Sequence, residues 1–579
     1  MVEGSVLRVG TAGVMARPTG LRWRVLLLLL GAALLAYVVS GASWGTTDPG
    51  SATIAASENA NAAVIVRALP GAEARAAVEV RRLGGRVTRQ LPIVHGFAAT
   101  VPASAVESVR SLAAVASVTK DAKLKPQAAT YSADSDAGSM YNTTLITGAQ
   151  ELWKRGYTGK GIGIAVIDSG VVPVDGLKVS GKVVNGPDLS FESQASNLRY
   201  LDTYGHGTHM AGIIAGRASA ATDPKKYAGD KTNFLGMAPD AKIVSVKVAD
   251  AHGATDVSQV IAAIDWVVQH RNDNGLNIRV LNLSYGTNAS QAAGIDPLAY
   301  ACEVAWNKGI VVVTAAGNAG FAQLGSLTNP ATDPFIIAVG ASDTKGTATM
   351  LDDTVASFSS SSNWGSNGSF RLVDLVAPGK SIVSLRDPGS YVDKTYGSTG
   401  GVTSSLFRGS GTSQAAAVVS GAAALVLQQR PTLNPNEVKR LLTYSAMQIQ
   451  AQAVEQGNGE LNLATGIDWP NSFIAGFYPY NLVPATGTGT LEGSRGSNHL
   501  VKDGVSLTGE KDIFGKAFKS STMATAEANA SSWSGGNWNG SSWSGSSWSG
   551  SSWSGSSWSS NNWLGGNWAD NAWSDASWN

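Results

Sequence analysis

The stretch that decides the fold is GIGIAVIDSG, residues 161–170. It contains an unbroken run of small and β-branched apolar residues, from Ile162 to Ile167, that ends in Asp168 and a Ser-Gly turn. Such a run predicts a strand that is buried on both faces. The strand carries an acid to the rim of a sheet, where a buried carboxylate is costly unless a donor pairs with it.

Runs of the same kind recur along the chain and are separated by helical stretches such as Val257–His270. This alternation predicts an α/β domain over residues 140–468, with a predominantly parallel sheet and helices on both faces. Functional residues collect at the carboxyl ends of the strands in such sheets. The further predicted strands are Ile243–Val248, Ile278–Leu283, Ile310–Thr314 and Phe335–Val339.

The candidate base lies in GHGTHMAG, residues 205–212. The other histidines of the chain stand in unremarkable contexts, so the choice narrows to His206 or His209. We favour His206, which lies at the boundary between a loop and a helix, as the group that pairs with Asp168. His209 is then a structural residue one turn inside the helix.

The candidate nucleophile lies in GSGTSQAAA, residues 409–417, which opens an apolar helix. A serine on the first turn of a helix has its own amide pointing outward, where it can hold an oxyanion. Ser413 fits this position. Asn318, at the end of AAGN (residues 315–318), offers a side-chain amide as the second oxyanion donor.

The block at residues 62–124 reads as a separate small domain. Its apolar patterns alternate in the order βαββαβ, which is a common α+β arrangement with no chemistry of its own. It contains no cluster of catalytic residue types. By itself this block could be any binding domain.

Residues 1–42 read as an export signal. Arginines precede a 15-residue apolar run, Val25–Val39, and a small-residue cleavage site follows at residues 40–42. A membrane-spanning helix needs about 20 apolar residues, so the pattern favours cleavage over permanent anchoring. An uncleaved anchor is the alternative. Residues 43–61 read as a linker.

Charge and cysteine content exclude some classes of protein. The formal net charge is +1, so no global field favours nucleic acid or an anionic membrane surface as the partner. The single cysteine, Cys302, rules out an internal disulfide, and its apolar surroundings predict a small buried hydrophobe.

The end of the chain differs in composition from the rest. Residues 469–527 read as a linker, and in residues 528–579 a tryptophan occurs at every fifth position against Ser, Gly and Asn. Neither a helix nor a strand has that period, so the pattern predicts no single buried stripe of indoles. The tail is either flexible or a device for surface retention, in which indoles stack on the sugar rings of a wall polymer.

With the four segments in the order acid, base, amide and nucleophile, the chain resembles the subtilisin family. The match covers roughly 300 residues and includes LGMAP, VLNLSYG, VASFS and VAPG, which begin at residues 235, 280, 355 and 376. The resemblance implies a serine peptidase whose triad is Asp168, His206 and Ser413, with Asn318 as an oxyanion donor.

The same resemblance implies how substrate and precursor are handled. Two backbone segments would clamp an extended peptide by strand addition: Ser284-Tyr285-Gly286 and Ala315-Ala316-Gly317. The block at 62–124 resembles the inhibitory and chaperone-like propeptide of the family, and residues 125–139 would be the maturation linker.

The chain departs from the family at three places. Ala417 stands where a proline is usual, and residues 171–177 lack the His-Pro pair that is common after the acid; both departures concern loop and helix shape. Tyr285 stands where a smaller aliphatic residue is frequent and would change how substrate side chains are accommodated. The chemistry requires no cofactor. Structural calcium is usual in relatives, but no oxygen-rich loop has the spacing of a calcium site, so the metal sites stay unknown.

These observations predict a secreted serine endopeptidase that is made as an autoprocessed zymogen and is released or held at the cell surface. Its partners would be protein substrates and its own propeptide, with glycan contact through the tryptophan tail and no nucleic acid. The rival hypothesis is a surface-attached binding protein on an inactive scaffold, with the tryptophan repeat as the working part.

Overall fold

The structure, a computed structural model, describes two compact units of the chain, residues 1–128 and 129–579. The predicted export signal at 1–42 and the tryptophans at 548, 553, 563, 568, 573 and 578 lie outside the described residues. The described residues are 61–121, 131–321, 327–347, 349–363, 371–474, 482–502 and 504–543, together with the backbone of 558–559.

The described part of the first unit has the predicted βαββαβ order. Its four strands form an antiparallel sheet in the order β2-β3-β1-β4. The elements are β1 (Asn61–Ala68), α1 (Glu73–Arg82), β2 (Arg86–Leu91), β3 (Gly96–Pro102), α2 (Val106–Arg110) and β4 (Val115–Lys120).

The core of this unit follows from the periods of its sequence. Val64 and Val66 lie two apart on β1, and Ala76 and Val80 lie four apart on α1, so each pair shares one face. These four side chains are fully buried together with Phe97 of β3. One helix face is therefore packed against one face of the sheet.

The second unit is built on the predicted parallel sheet. Its eight strands run in the order β11-β10-β9-β8-β5-β7-β6, with β14 beside β10, and all pairs are parallel except β10 with β11. The elements up to residue 343 are α3 (Met140–Ile146), α4 (Ala149–Lys154), β5 (Gly163–Asp168), β6 (Val183–Asp188), α5 (His206–Ala215), β7 (Lys242–Lys247), α6 (Val257–His270), β8 (Ile278–Leu283), α7 (Pro297–Asn307), β9 (Val311–Ala315) and β10 (Ile337–Asp343).

The elements that complete the domain include the helix with the candidate nucleophile. They are β11 (Thr354–Val355), β12 (Ser362–Asn363), β13 (Arg371–Leu372), β14 (Leu375–Pro378), β15 (Ile382–Leu385), α8 (Tyr391–Gly400), β16 (Leu406–Gly409), α9 (Thr412–Gln429), α10 (Pro435–Tyr444), α11 (Ala453–Gln456), α12 (Leu463–Gly466) and α13 (Asn471–Ile474).

The central strands are buried along their whole length. Every residue of β5 and β9 is buried, and because neighbouring side chains point to opposite faces, both faces of the sheet are covered. Helix α5 packs against α9, and α6 packs against α7. The ladder pairs Ile167 with Leu283 and Leu283 with Thr314, so the carboxyl ends of β5, β8 and β9 lie side by side.

Residues 469–527, expected to be a linker, differ from that expectation. Their described part adds α13, two further helices and a hairpin to the peptidase unit, and seven widely spaced apolar side chains enter its core: Ile474, Leu491, Leu500, Leu507, Ile513, Phe518 and Met523. A background of Gly, Ser and Thr hides these residues because they follow no regular period. The elements are α14 (Leu491–Arg495), β17 (Val501–Lys502), β18 (Val505–Ser506) and α15 (Ser520–Ala528).

The start of the tryptophan repeat also differs from the expectation that no stripe of indoles is buried. Three short antiparallel strands follow each other: β19 (Trp533–Ser534), β20 (Asn537–Trp538) and β21 (Ser541–Ser542). Both connecting turns, Gly535-Gly536 and Asn539-Gly540, have positive φ at their two central residues, as a type I′ hairpin requires. The chain therefore reverses at each turn instead of continuing as one strand.

The reversals bring the indoles together. Trp533 pairs with Trp538 across the first hairpin, and the ring of Trp543 lies 5.7 Å and 6.1 Å from theirs. Trp538 and Trp543 are buried, and Trp538 donates its Nε1 proton to Asp265 of α6 at 2.7 Å. A further repeat, β22 (Trp558–Ser559), pairs with β17. The first repeats are thus part of the peptidase unit.

Candidate active site

The predicted acid and base meet at the rim of the sheet. Asp168 is the last residue of β5 and His206 is the first residue of α5, and Nδ1 of His206 lies 2.6 Å from Oδ1 of Asp168. The side chains are 1% and 0% exposed, so the contact is shielded from water. A short, buried contact of this kind fixes both the ring orientation and the tautomer of the imidazole.

The second histidine of the motif has a different environment. Nε2 of His209 lies 3.1 Å from the carbonyl oxygen of Phe407, and the ring is buried in the interior of the unit. Burial, with a smaller effect of the charge on His206, lowers the pKa of His209 to about 3. His209 therefore stays neutral near pH 7 and packs as a structural residue, which leaves His206 as the ring that faces the acid.

A second carboxylate supports the acid from behind. Oγ of Ser169 lies 2.8 Å from Oδ1 of Asp202 and 3.2 Å from Oδ1 of Asp168, and it accepts the N–H of Gly207 at 2.9 Å. Asp202 also accepts the N–H of Thr208 at 2.7 Å. It therefore caps the helix that begins with the candidate base and ties that helix to the turn after the acid.

Glycine is required at position 207 by a close approach. A Cβ atom there would lie 2.2 Å from the carbonyl oxygen of Gly170 and 3.2 Å from Oδ1 of Asp168. Any side chain would push α5 away from the strand that carries the acid. The glycine next to the base thus keeps the two reacting elements in contact.

The candidate nucleophile lies at the start of α9, as predicted. Ser413 is the second residue of the helix, is fully buried, and its Oγ has no hydrogen-bond partner among the described residues. Oδ1 of Asn318 accepts both the N–H and the hydroxyl of Thr412, at 2.9 Å and 3.0 Å. These donors fix the orientation of the amide, because its oxygen must face them.

The opposite side of the Asn318 amide is therefore the donor side. Its Nδ2 lies 3.4 Å from the position that a Cβ atom would take at Gly411, the residue before α9, and it has no partner among the described residues. An N–H donor next to the first turn of the helix is suited to hold an oxyanion beside Ser413.

The two predicted substrate-binding segments differ in their use of the backbone. Ser284–Gly286 continue β8 beyond Leu283, which is its last ladder residue. In the other segment, the N–H of Ala316 donates to Val339 at 2.9 Å, and the N–H of Gly317 donates to Oγ1 of Thr412 at 3.1 Å. The N–H groups of Ala316 and Gly317 are therefore already used within the unit.

Tyr285 lies differently from what its position in a substrate-binding segment suggests. Its side chain is fully buried, and the guanidinium of Arg495 interacts electrostatically with the phenol. It therefore reaches into the interior of the unit, toward residues that the sequence places in a linker.

Several supporting residues were missed from sequence. The sequence motifs assign no function to Asp202 or Thr412, and they include Ser169 only as a turn residue. One signal exists: an aspartate four residues before His206 is well placed to cap a helix that starts at the histidine. The contact of Thr412 with Asn318 joins residues 94 positions apart, and no local pattern encodes it.

No metal site is assigned. Within the described ranges, no group of three or more His, Cys, Asp or Glu side chains is arranged to hold a metal ion.

Comparisons with known proteins identify the family of the chain. The model of the Subtilase family matches residues 159–460, which is just over half of the chain, and the model of a peptidase inhibitor domain matches residues 49–121. Serine protease AprX of Bacillus subtilis is 38% identical over 306 residues, which are 52% of this chain and 64% of AprX.

Other relatives are matched over more of their length. Subtilisin E of Bacillus subtilis is 32% identical over 387 residues, which are 66% of this chain and 82% of subtilisin E. The crystal structure of a cold adapted subtilisin-like serine proteinase aligns with 53% of this chain and 90% of its own, at 29% identity and a TM-score of 0.38. Because the family model covers more than half of the chain, the chain belongs to the subtilase family of serine peptidases.

Proposed function

We propose that this peptidase is an endopeptidase that cleaves proteins through an acyl-enzyme on Ser413. The observation that carries the proposal is the buried 2.6 Å contact between His206 and Asp168 at the end of β5. Such a pair activates a serine hydroxyl when the other ring nitrogen, Nε2, can reach it.

The mechanism assigns one step to each group. Oγ of Ser413 attacks the peptide carbonyl while His206 takes its proton, and Asp168 stabilises the imidazolium that forms. Nδ2 of Asn318 and the backbone N–H of Ser413 donate to the oxyanion. His206 then gives the proton to the leaving amine, and water hydrolyses the ester by the same route. No cofactor takes part.

A fluorophosphonate label tests this assignment. Purified mature protein should take up one label, and the Ser413→Ala variant should take up none. Ser410→Ala is the matched control, because Ser410 is buried three residues away and its Oγ accepts the N–H of Ser381 at 2.8 Å. A wild-type protein that takes up no label, or a Ser413→Ala variant that takes it up, would contradict the proposal.

We further propose that the chain is a zymogen that cuts itself. The inhibitor domain at residues 49–121 supports this. Asp136 forms an ion pair with Arg408, and Ser139 forms a β-bridge with Val383, so this part of the expected maturation linker packs on the peptidase unit. We therefore expect the cut to fall before Tyr131.

Cleavage of the precursor distinguishes the enzyme hypothesis from the rival hypothesis of an inactive scaffold. Wild-type precursor should shorten, and Ser413→Ala precursor should keep its full length. Mass spectrometry of the mature termini would locate the cut. A wild-type chain that stays whole, or a Ser413→Ala chain that is cut equally in the purified state, would count against self-processing.

We propose secretion from the N-terminal pattern at residues 1–42. Among the helices that the structure describes, none has both the length and the apolar character needed to span a bilayer. Mass spectrometry of protein recovered from the medium would test the proposal. Protein that stays inside cells with its first 42 residues intact would contradict it.

Retention at the cell surface through glycan contact is a second candidate role. A cleft of about 320 Å³ lies beside the first tryptophan repeats, and its walls include Trp266, Trp533, Trp543 and the exposed Arg199. Indole walls with a cationic side chain at the rim suit a sugar ring.

The partition between cells and medium tests retention. The variant should end after Trp543, since an earlier end would also remove indoles that are buried in the peptidase unit. Retention by the later repeats predicts that the shortened chain moves to the medium, whereas retention by the cleft predicts that Trp266→Ala does so. Equal partition of all three proteins would exclude both.

A further inference from the structure

The C-terminal segment 490–498 lies directly behind the exit of the predicted substrate-binding strand. Oγ1 of Thr287 donates to the carbonyl oxygen of Ser494 at 2.6 Å, and the N–H of Asn288 donates to Oδ1 of Asn498 at 2.7 Å. These residues come immediately after Ser284–Gly286. They join that strand to a part of the chain beyond residue 460, where the match to the family ends.

Asn329 holds the residue that follows the predicted substrate-binding strand, Thr287, through its backbone. Thr287 and Asn329 exchange two backbone hydrogen bonds, at 2.9 Å and 2.8 Å. Nδ2 of Asn329 also donates to Oγ of Ser494 at 3.3 Å, so the three residues form one closed set of contacts. Because both sides are bonded, the strand cannot shift without breaking several of these bonds together.

A buried ion pair anchors the C-terminal segment itself. Arg495 donates two hydrogen bonds to the carboxylate of Asp256, from Nε at 2.7 Å and from Nη2 at 3.1 Å. Both side chains are 0% exposed. The remaining N–H groups donate to the carbonyls of Gly509 and Lys511, at 2.7 Å and 2.6 Å. A guanidinium with so many partners is held in one geometry.

Asp256 connects this anchor to the helix beside the sheet. It is the N-cap of α6 and accepts the N–H of Ser258 at 3.0 Å. Burial acts to raise the pKa of Asp256, but the Arg495 guanidinium outweighs it and holds the pKa below its ordinary value. The carboxylate is therefore charged at neutral pH, and it stays paired with Arg495 there.

The middle of the strand lies within the electrostatic influence of the anchor. Tyr285 departs from the smaller aliphatic residue that is frequent in the family, and its buried phenol interacts electrostatically with the Arg495 guanidinium. Ser284 is also buried, and its Oγ accepts a hydrogen bond from Nδ2 of Asn282 at 3.2 Å. The side chains of the segment are thus held in the interior, and its exit is fixed by the bonds of Thr287 and Asn288.

We propose that residues 490–498 are a positioning element that holds Ser284–Gly286 in the geometry for strand addition by substrate. Peptides that extend over several residues then depend on this element for binding, while the chemistry at Ser413 does not. The inference rests on the proposed endopeptidase function and deepens it, because it assigns a substrate-positioning role to a segment outside the family match.

Thr287→Val tests the proposal by removing the bond to Ser494 with little change of shape. For a peptide substrate of about six residues, we expect KM to rise about threefold to tenfold with kcat unchanged, because a loss of uniform binding acts on KM. A single-residue ester substrate and the rate of fluorophosphonate labelling should stay as in wild type.

Two further variants keep the test decisive. Asn498→Ala removes the acceptor of the Asn288 N–H near the surface and should also raise the peptide KM. Thr443→Val is the matched control, because the buried hydroxyl of Thr443 donates to the carbonyl of Lys439 at 2.9 Å on α10. This variant should leave the kinetic constants for the peptide and for the ester as in wild type.

The possible outcomes separate the two hypotheses. An unchanged peptide KM in both Thr287→Val and Asn498→Ala would overturn the positioning role, as would an equal loss of activity on the ester and the peptide. Absence of labelling in wild type would instead contradict the proposed function. If Thr287→Val does not fold, Asn498→Ala decides the question alone.

Discussion

Asp202 is not one of the predicted reacting groups, yet three of its contacts converge on them. Its carboxylate accepts the N–H of Gly205 and of Thr208, both at 2.7 Å, and the hydroxyl of Ser169 at 2.8 Å. These contacts set the position of His206 relative to Asp168. Asp202 is therefore a positioning residue for the acid and base pair.

Asp202→Asn should weaken catalysis without abolishing it. An asparagine offers one acceptor oxygen in place of two, so α5 would move relative to β5, and a small misplacement of a base costs up to about a hundredfold in rate. We expect kcat to fall about tenfold to a hundredfold with little change in KM, and labelling to slow in parallel. Steady-state kinetics and labelling rates provide the measurement.

The control for Asp202 is Asp223→Asn. Asp223 accepts the N–H of Lys225 at 3.1 Å near the surface, and it has no contact with the candidate site. Its kinetics should match wild type. A normal kcat in Asp202→Asn would show that Ser169 and the backbone suffice to orient the pair.

Asp387 makes stability depend on pH. Burial, followed by the charges of Asp202 and Asp393, raises the pKa of Asp387 to about 9. The folded state therefore holds a proton that the unfolded chain releases at lower pH, and stability is lost as pH rises through the range from about 4 to about 9. Removing the acid should remove that loss.

Asp387→Asn should accordingly be more stable than its parent at high pH. We expect similar urea midpoints near pH 4 and a gain of about 1–3 kcal/mol in the free energy of unfolding at pH 9. Both proteins should carry Ser413→Ala to prevent self-digestion. Parallel pH profiles for the two proteins would contradict the assignment.

At the residue scale, sequence and structure agree where a residue stands next to a regular element. Asp168 ends a strand and His206 begins a helix, so their neighbourhood follows from local patterns and from the meeting of strand ends in a parallel sheet. Tyr285 could not be placed in this way. It is buried and interacts electrostatically with Arg495, which is 210 positions away and stands in a segment without apparent pattern.

At the scale of elements, burial on both faces made the strands predictable. The predicted helix Val257–His270 and the predicted strand Ile278–Leu283 have the observed limits. The strand predicted at Phe335–Val339 is instead Ile337–Asp343, because its later residues are small and polar yet pair with β14 and β11. Small side chains in a covered strand give little apolar signal.

Arg495 explains why the linker expectation failed for residues 469–527. A charged residue normally indicates a surface, and here it is the centre of a buried contact with Asp256. Arg495→Met should cost about 3–5 kcal/mol in the free energy of unfolding, because it leaves a buried carboxylate without its partner. Urea unfolding of the Ser413→Ala protein would measure this cost.

A double variant tests whether the cost comes from the unpaired charge. Asp256→Asn with Arg495→Met should recover most of the loss, since asparagine still caps α6. Arg155→Met, which breaks the exposed pair with Asp468, should cost less than about 1 kcal/mol. A double variant as unstable as the single one would mean that packing, not charge, dominates.

At the scale of the whole peptidase unit, the first tryptophan repeats extend its hydrophobic core. Trp533, Trp538 and Trp543 cover α6 and the end of β6, with indole N–H groups that donate to Ala262, Asp265 and Leu189 at 2.7–2.9 Å. The Asn539-Gly540 dipeptide is a strong hairpin signal that could have revealed the reversal. The five-residue spacing alone conceals it, because it matches neither regular element.

Trp538→Ala should therefore behave as a core substitution and not as a change in a tail. Trp538 is fully buried, and its loss should cost about 3–5 kcal/mol, whereas Trp538→Phe should cost less because it keeps an aromatic ring. Tyr444→Ala, at an aromatic that is 48% exposed, should cost below about 1 kcal/mol. Urea midpoints of the three variants on the Ser413→Ala background would measure the order. A cost for Trp538→Ala no larger than that for Tyr444→Ala would return the repeat to the status of a flexible tail.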